Sequence, residues 1–118
     1  MKHYIREKVG AFIFVCFLSF FGSQVWAQSK RVALVIGNGK YLANPLLNPP
    51  NDAEDVAAAL KDCGFDVTLI KDASAEDFRK AVDGYPASLK DAETALFYYA
   101  GHGVLIDGQN YLIPVKPS

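Results

Sequence analysis

Apolar residues are distributed along the chain in three different textures. Residues 9–21 form one unbroken block, with AFIFVCFLSFF at its heart and only Gly10 and Ser19 interrupting it. Residues 31–36 (RVALVI) and 95–100 (ALFYYA) are shorter continuous runs, the pattern of parallel strands covered on both faces. Between and after them the pattern becomes periodic. Ala53, Val56, Ala57, Leu60 and Cys63 recur at helical spacing, with Gly64 in the position of a C′ glycine and Asn51 and Glu54 as a capping-box variant at the start. Residues 65–70 (FDVTLI) alternate before turning apolar, as in a strand at a sheet edge. Ser74 with Asp77 opens a second helical stripe through Phe78, Ala81, Val82, Tyr85 and Leu89. Pro86 predicts a kink or restart in it, because its ring collides with the carbonyl of Val82 in a regular helix. Two short apolar stretches, 104–106 and 111–113, flank Asp107-Gly108 and predict a small hairpin.

The order strand, helix, strand, helix, strand, hairpin specifies an α/β fold with a parallel sheet and right-handed crossovers. The edge-like second strand gives the spatial order 2-1-3. In such sheets sites form at the carboxyl ends of the strands, where the winding direction reverses. That point lies between strands 1 and 3, so the loops Gly37-Asn38-Gly39-Lys40 and Gly101-His102-Gly103 are the places to look for chemistry.

The first apolar block belongs to a different category. Lys2, Arg6 and Lys8 precede it, and Gly22, Ser23 and Val25-Trp26-Ala27 follow, the layout of a secretory signal peptide cut after Ala27. Its 13 residues fall short of the roughly 18 to 20 that span a bilayer. An uncleaved N-terminal anchor is the alternative. Cys16 does not read as a lipid-attachment site, since bulky Val15 precedes it. The expectation is an exported protein, periplasmic or secreted, with residues 1–27 removed and no stable membrane span afterwards.

Composition then narrows what residues 28–118 can do. The whole chain has 118 residues and net charge −1, and the part after Ala27 carries nine basic against twelve acidic residues. Neither gives the basic footprint of a nucleic-acid binder. In that part Cys63 is the only cysteine and His102 the only histidine. This excludes an internal disulfide framework and leaves too few ligands for a structural zinc site, so no metal and no cofactor are expected. Gly37 and Gly39 do not make a nucleotide site either. Leu42 stands where a dinucleotide fingerprint needs its third glycine, and Tyr41 follows Gly39-Lys40 where a P-loop needs Ser or Thr. His102 is the better candidate. It leaves an apolar strand between two glycines at the ligand end of the sheet, where imidazole can act as a general base and the amide of Gly103 can hold an oxyanion.

The segment FYYAGHG at 97–103, followed by DGQNYLIP at 107–114, resembles the caspase and metacaspase superfamily of cysteine endopeptidases. RVALVIGNGKY at 31–41 is similar to its first strand and NDAEDVAAALKDCGF at 51–65 to its first helix. The resemblance implies a caspase-like parallel-sheet αβα sandwich acting on polypeptide substrates. It implies that His102 is the catalytic histidine, that the Gly103 amide contributes to the oxyanion hole, and that Asp52 lines the S1 pocket. An Asp there favours Arg or Lys at the cleavage site, as in metacaspases. The alternative for Asp52 is a charge in the first turn of a helix, stabilised by the macrodipole. The two are compatible.

The family's nucleophile is a cysteine in an Asp-x-Cys setting just after a fourth strand, which the resemblance puts beyond Ser118. Cys63 does not replace it. It falls on the apolar stripe in the last turn of a helix, which points to core packing, and a helix C-terminus disfavours a thiolate. Residues 28–118 are therefore expected to be a partial catalytic domain ending after the third strand and a hairpin, without hydrolytic activity alone and with calcium dependence unsupported by the residues present. Its third strand is expected to offer an open edge to a complementing strand or downstream segment. The alternative reading is a stand-alone pseudoprotease, or a module that binds a peptide or partner.

Overall fold

The computed structural model describes residues 29–117. The signal-peptide and anchor expectations fall on residues outside that range. Seven elements follow in order: β1 (Arg31–Gly37), α1 (Pro49–Asp62), β2 (Asp66–Lys71), α2 (Ala75–Ser88), β3 (Thr94–Ala100), β4 (Gly103–Ile106) and β5 (Gln109–Leu112). The first three strands form a parallel sheet in the order β2-β1-β3, and β4 pairs with β5 antiparallel.

β1 is the centre, with Val32 to Ile36 all buried. Because successive strand residues face opposite sides, its two faces bury different partners. Ala33 and Val35 pack against Ala53 and Ala57 of α1, with Val56, Leu60, Val67 and Leu96 around them. Leu34 and Ile36 pack with Ala73, and Phe78, Ala81 and Tyr85 of α2 close that side. The helices therefore cover opposite faces, which is the αβα sandwich. At the end of β1 the packing becomes tight. A Cβ on Gly37 would collide with the carbonyl of Pro49 and lie 2.6 Å from the Ala53 Cβ, so only glycine lets α1 start this close to the strand.

Two local features differ from the pattern-based expectation. α1 begins at Pro49, two residues before Asn51, and its N-cap Asn48 makes no side-chain cap. Pro49 and Pro50 carry no N–H, so two of the orphan donors that a capping side chain would satisfy do not exist. α2 runs through Pro86 to Ser88 without interruption. The proline sits in the last turn, where one lost hydrogen bond is tolerable, and the Tyr85 hydroxyl donates to the Leu96 carbonyl at 2.8 Å, fastening the helix end to β3. β3 lies at the edge of the sheet among the described residues, as the expected order 2-1-3 requires. Nothing described pairs with its outer side, and Phe97 is 45% exposed.

The hairpin turns at Asp107 (φ 49°) and Gly108 (φ 79°), the left-handed pair of a type I′ turn. After it the chain returns to the body of the domain. Val115 is buried, its N–H donates to the Ala73 carbonyl at 2.8 Å, and the Lys116 carbonyl accepts from Ala75 at 2.9 Å. This return carries Ile113 back to the carboxyl end of β1 and β3. No helix of the described residues is long and apolar enough to cross a membrane.

Candidate active site

At the carboxyl end of the sheet, Asn38 leaves β1 and is fully buried. A buried amide needs partners, and here each polar group has one. Its backbone N–H donates to Ala100 at 2.8 Å, its Oδ1 accepts from the Ala73 N–H at 2.9 Å, and its Nδ2 donates to the Ile113 carbonyl at 3.4 Å. One residue thus ties β1, β3, the loop before α2 and the hairpin return together. The β1–α1 loop is fixed from outside by Asp72, whose Oδ1 accepts from the N–H groups of Gly39 and Lys40, both at 2.9 Å.

His102 stands on this platform, directly after β3 and Gly101. Its Nε2 lies 2.7 Å from the Asn44 carbonyl in the β1–α1 loop. A carbonyl oxygen only accepts, so Nε2 carries the proton and Nδ1 keeps its lone pair. That is the tautomer a general base needs. Asn44 adopts a left-handed conformation (φ 54°), which asparagine tolerates better than most residues. The Tyr41 ring lies against the imidazole with centroids 4.4 Å apart and planes inclined at 51°.

The hairpin ladder sets the second candidate group. Ile113 N–H donates to the His102 carbonyl at 3.0 Å, which makes residues 102 and 113 a hydrogen-bonded position. Gly103 opposite Leu112 is therefore a non-hydrogen-bonded pair, and the Gly103 N–H points away from β5. An amide unclaimed by its own ladder, one residue after the histidine, can hold a developing oxyanion. A cavity of about 530 Å³ opens beside it, lined by Leu42, Asn44, His102, Gly103, Val104 and Pro114 among others.

The other two candidates lie apart. Asp52 is exposed in the first turn of α1, next to the positive helix end, and does not line the cavity beside His102. Cys63 corrects an expectation, for it is exposed and not core. α1 ends at Asp62, so Cys63 is its C-cap, past the buried stripe of Ala53 and Ala57. Its carbonyl accepts from the guanidinium of Arg31, the first residue of β1, at 2.9 Å. Cys63 thus sits at the amino end of the seven-residue β1 and His102 at the carboxyl end, on the order of 20 Å away at about 3.3 Å per residue.

Sequence reasoning passed over Asn38, Tyr41, Asn44 and Tyr99. Asn38 carried one signal, a polar residue at the end of an otherwise apolar strand. The tyrosines carried none, because the Tyr41 hydroxyl meets partners 58 to 72 residues away and the Tyr99 hydroxyl reaches its partners only through the fold of the hairpin return.

The family profile of the caspase domain matches residues 30–117. This chain belongs to the caspase-domain family. Mucosa-associated lymphoid tissue lymphoma translocation protein 1 of Homo sapiens is 35% identical over 86 residues, which cover 72% of this chain and 10% of that protein. Its Mus musculus homolog is 34% identical over 86 residues, with the same coverage. The chain thus spans about a tenth of the length of the curated relatives it matches. Membership makes this a domain of a proteolytic family.

Proposed function

We propose that residues 30–117 supply the histidine half of a caspase-type cysteine endopeptidase site, with His102 as base and the Gly103 amide in the oxyanion hole. The observation that carries this reading is the Nε2–Asn44 hydrogen bond, which leaves Nδ1 free to take a proton. The nucleophilic thiol comes from a segment after residue 117 whose strand pairs with the outer edge of β3. Nδ1 takes the thiol proton as sulfur bonds to the scissile carbonyl, and the Gly103 N–H stabilises the oxyanion. Collapse breaks the C–N bond while the imidazolium gives its proton to the leaving amine. Water then attacks the thioester, with Nδ1 again as base, releasing the acid and the thiol.

The preference for Arg or Lys at P1 rests on the family resemblance, with Asp52 acting by its charge from outside the cavity beside His102. Residues 1–27 direct export to the periplasm or medium before removal. Alone, residues 28–118 do not hydrolyse peptides, since their one thiol, Cys63, is at the wrong end of the sheet. That same distance is what favours the second reading, a pseudoprotease that binds peptides in the cavity beside His102 without cutting them.

The test uses the protein purified from its own cells. Its intact mass should exceed what residues 28–118 account for, and it should cleave peptides with Arg or Lys at P1 in preference to Asp. Asp52→Asn should lower kcat/KM for the Arg peptide about tenfold or more and leave a neutral-P1 peptide nearly unchanged. A protein of the short mass that binds such peptides without cleaving them would overturn the peptidase reading in favour of the second.

A further inference from the structure

We propose that Tyr41 and Tyr99 are positioning residues for His102, their paired hydroxyls locking the histidine backbone on both sides so that the imidazole is presented in one orientation. The proposal rests on reading His102 as the base. The Tyr41 hydroxyl accepts from the His102 N–H at 2.9 Å and lies 2.9 Å from the Ile113 carbonyl. The Tyr99 hydroxyl lies 2.7 Å from the His102 carbonyl, 3.1 Å from the Ile113 carbonyl and 3.2 Å from the Tyr41 hydroxyl.

Each hydroxyl has one proton to give, and sending each along its shortest carbonyl contact serves every group. Tyr41 donates to Ile113, whose carbonyl also receives Asn38 Nδ2. Tyr99 donates to the nearer carbonyl, that of His102, which also receives the Ile113 N–H. Both carbonyls then hold two donors, and the His102 N–H has its acceptor. With its N–H and its C=O both held, the backbone of His102 has neither φ nor ψ free to drift, and the Tyr41 ring lies against the side chain itself. Burial raises the Tyr99 phenol, so it stays protonated and remains a donor.

Gly101 gives independent support. A Cβ there would lie 2.6 Å from the Tyr99 hydroxyl oxygen and 2.7 Å from that of Tyr41. The hydroxyl pair therefore occupies the space that any side chain at residue 101 would need. The glycine before the histidine is explained by the two tyrosines.

Hydrogen exchange and the imidazole N–H signal test this without requiring turnover. In the ¹⁵N-histidine-labelled wild-type chain, the His102 amide should be protected and the Nε2–H resonance visible at neutral pH. Tyr41→Phe keeps the ring and removes the only acceptor found for the His102 N–H. It should speed exchange of that amide about tenfold or more and broaden or abolish the Nε2–H signal. Tyr99→Phe should do the same to a smaller extent, because the Ile113 N–H still holds the His102 carbonyl. Tyr85→Phe is the control, since its hydroxyl also donates to a strand carbonyl but at Leu96, away from the site. It should leave both His102 signals as in wild type. Unchanged His102 signals in both site variants, or an equal change in Tyr85→Phe, would overturn the proposal. If Tyr41→Phe does not fold, Tyr99→Phe decides alone by the same two readouts. Proteolysis by the protein from its own cells separates the two readings. A latch that behaves as described in an enzyme indifferent to His102→Ala leaves the positioning intact and removes the base.

Discussion

The two ends of the sheet are built by different rules. At the amino end, the polar contacts are long exposed side chains reaching backbone carbonyls, Lys30 to Lys90 at 2.7 Å and Arg31 to Cys63 at 2.9 Å. At the carboxyl end, short or aromatic side chains make buried and half-buried bonds, with Asn38, Tyr41, Tyr99 and the carbonyl of Ile113 sharing partners. A buried polar group costs about 1–3 kcal/mol if left unpaired, whereas an exposed one falls back on water. The amino end tolerates errors and the carboxyl end does not. Among the described residues no buried side-chain nitrogen or oxygen lacks a partner, so the side chains of the demanding end are all satisfied. A polar network of this kind rigidifies whatever stands on it, and here that is His102.

This contrast can be broken most forcefully at Asn38. Asn38→Leu keeps the branching at Cγ and strands the Ala73 N–H, and it removes one donor from Ile113. It should cost about 3 kcal/mol in chemical denaturation, with little change in the slope. A loss under about 1 kcal/mol would mean that the network is not what holds this end together. Gly37→Ala sharpens the comparison by testing packing at the same end without touching a hydrogen bond. Its new methyl meets the Pro49 carbonyl and the Ala53 side chain, both on the first turns of α1, and about 2 kcal/mol should be lost. At the opposite end, Arg31→Ala and Cys63→Ser should each stay within about 0.5 kcal/mol of wild type. Cys63→Ser should also leave peptide cleavage unchanged, and a fall in cleavage would reopen that thiol as a participant.

Periodicity read the architecture well because it reports which side of an element faces the core. The alternating positions of β1, buried against α1 through Ala33 and Val35 and against α2 through Leu34 and Ile36, made the sheet and its covering helices legible. Asp107-Gly108 gave the hairpin because a type I′ turn demands left-handed residues. The errors have equally local causes. Two prolines replaced the cap expected at Asn51, and the end of α1 at Asp62, one residue early, took Cys63 off the buried stripe. At the site, the motif located His102 and Gly103, and the hairpin register shows why the Gly103 amide is free. What stayed hidden were contacts of the Tyr41 hydroxyl with a second hydroxyl 58 residues away, that of Tyr99, and with the Ile113 carbonyl 72 residues away. No spacing rule encodes these, since each depends on where two loops meet.

The most direct test of His102 as the proteolytic base is the rate of Arg-peptide cleavage by the protein from its own cells, with His102→Ala introduced at the chromosomal locus. Removing a general base should lower kcat by about 10²–10⁴, with the thermal unfolding midpoint within a few degrees of wild type. Cleavage within about threefold of wild type, in a variant as well folded, would contradict the central claim.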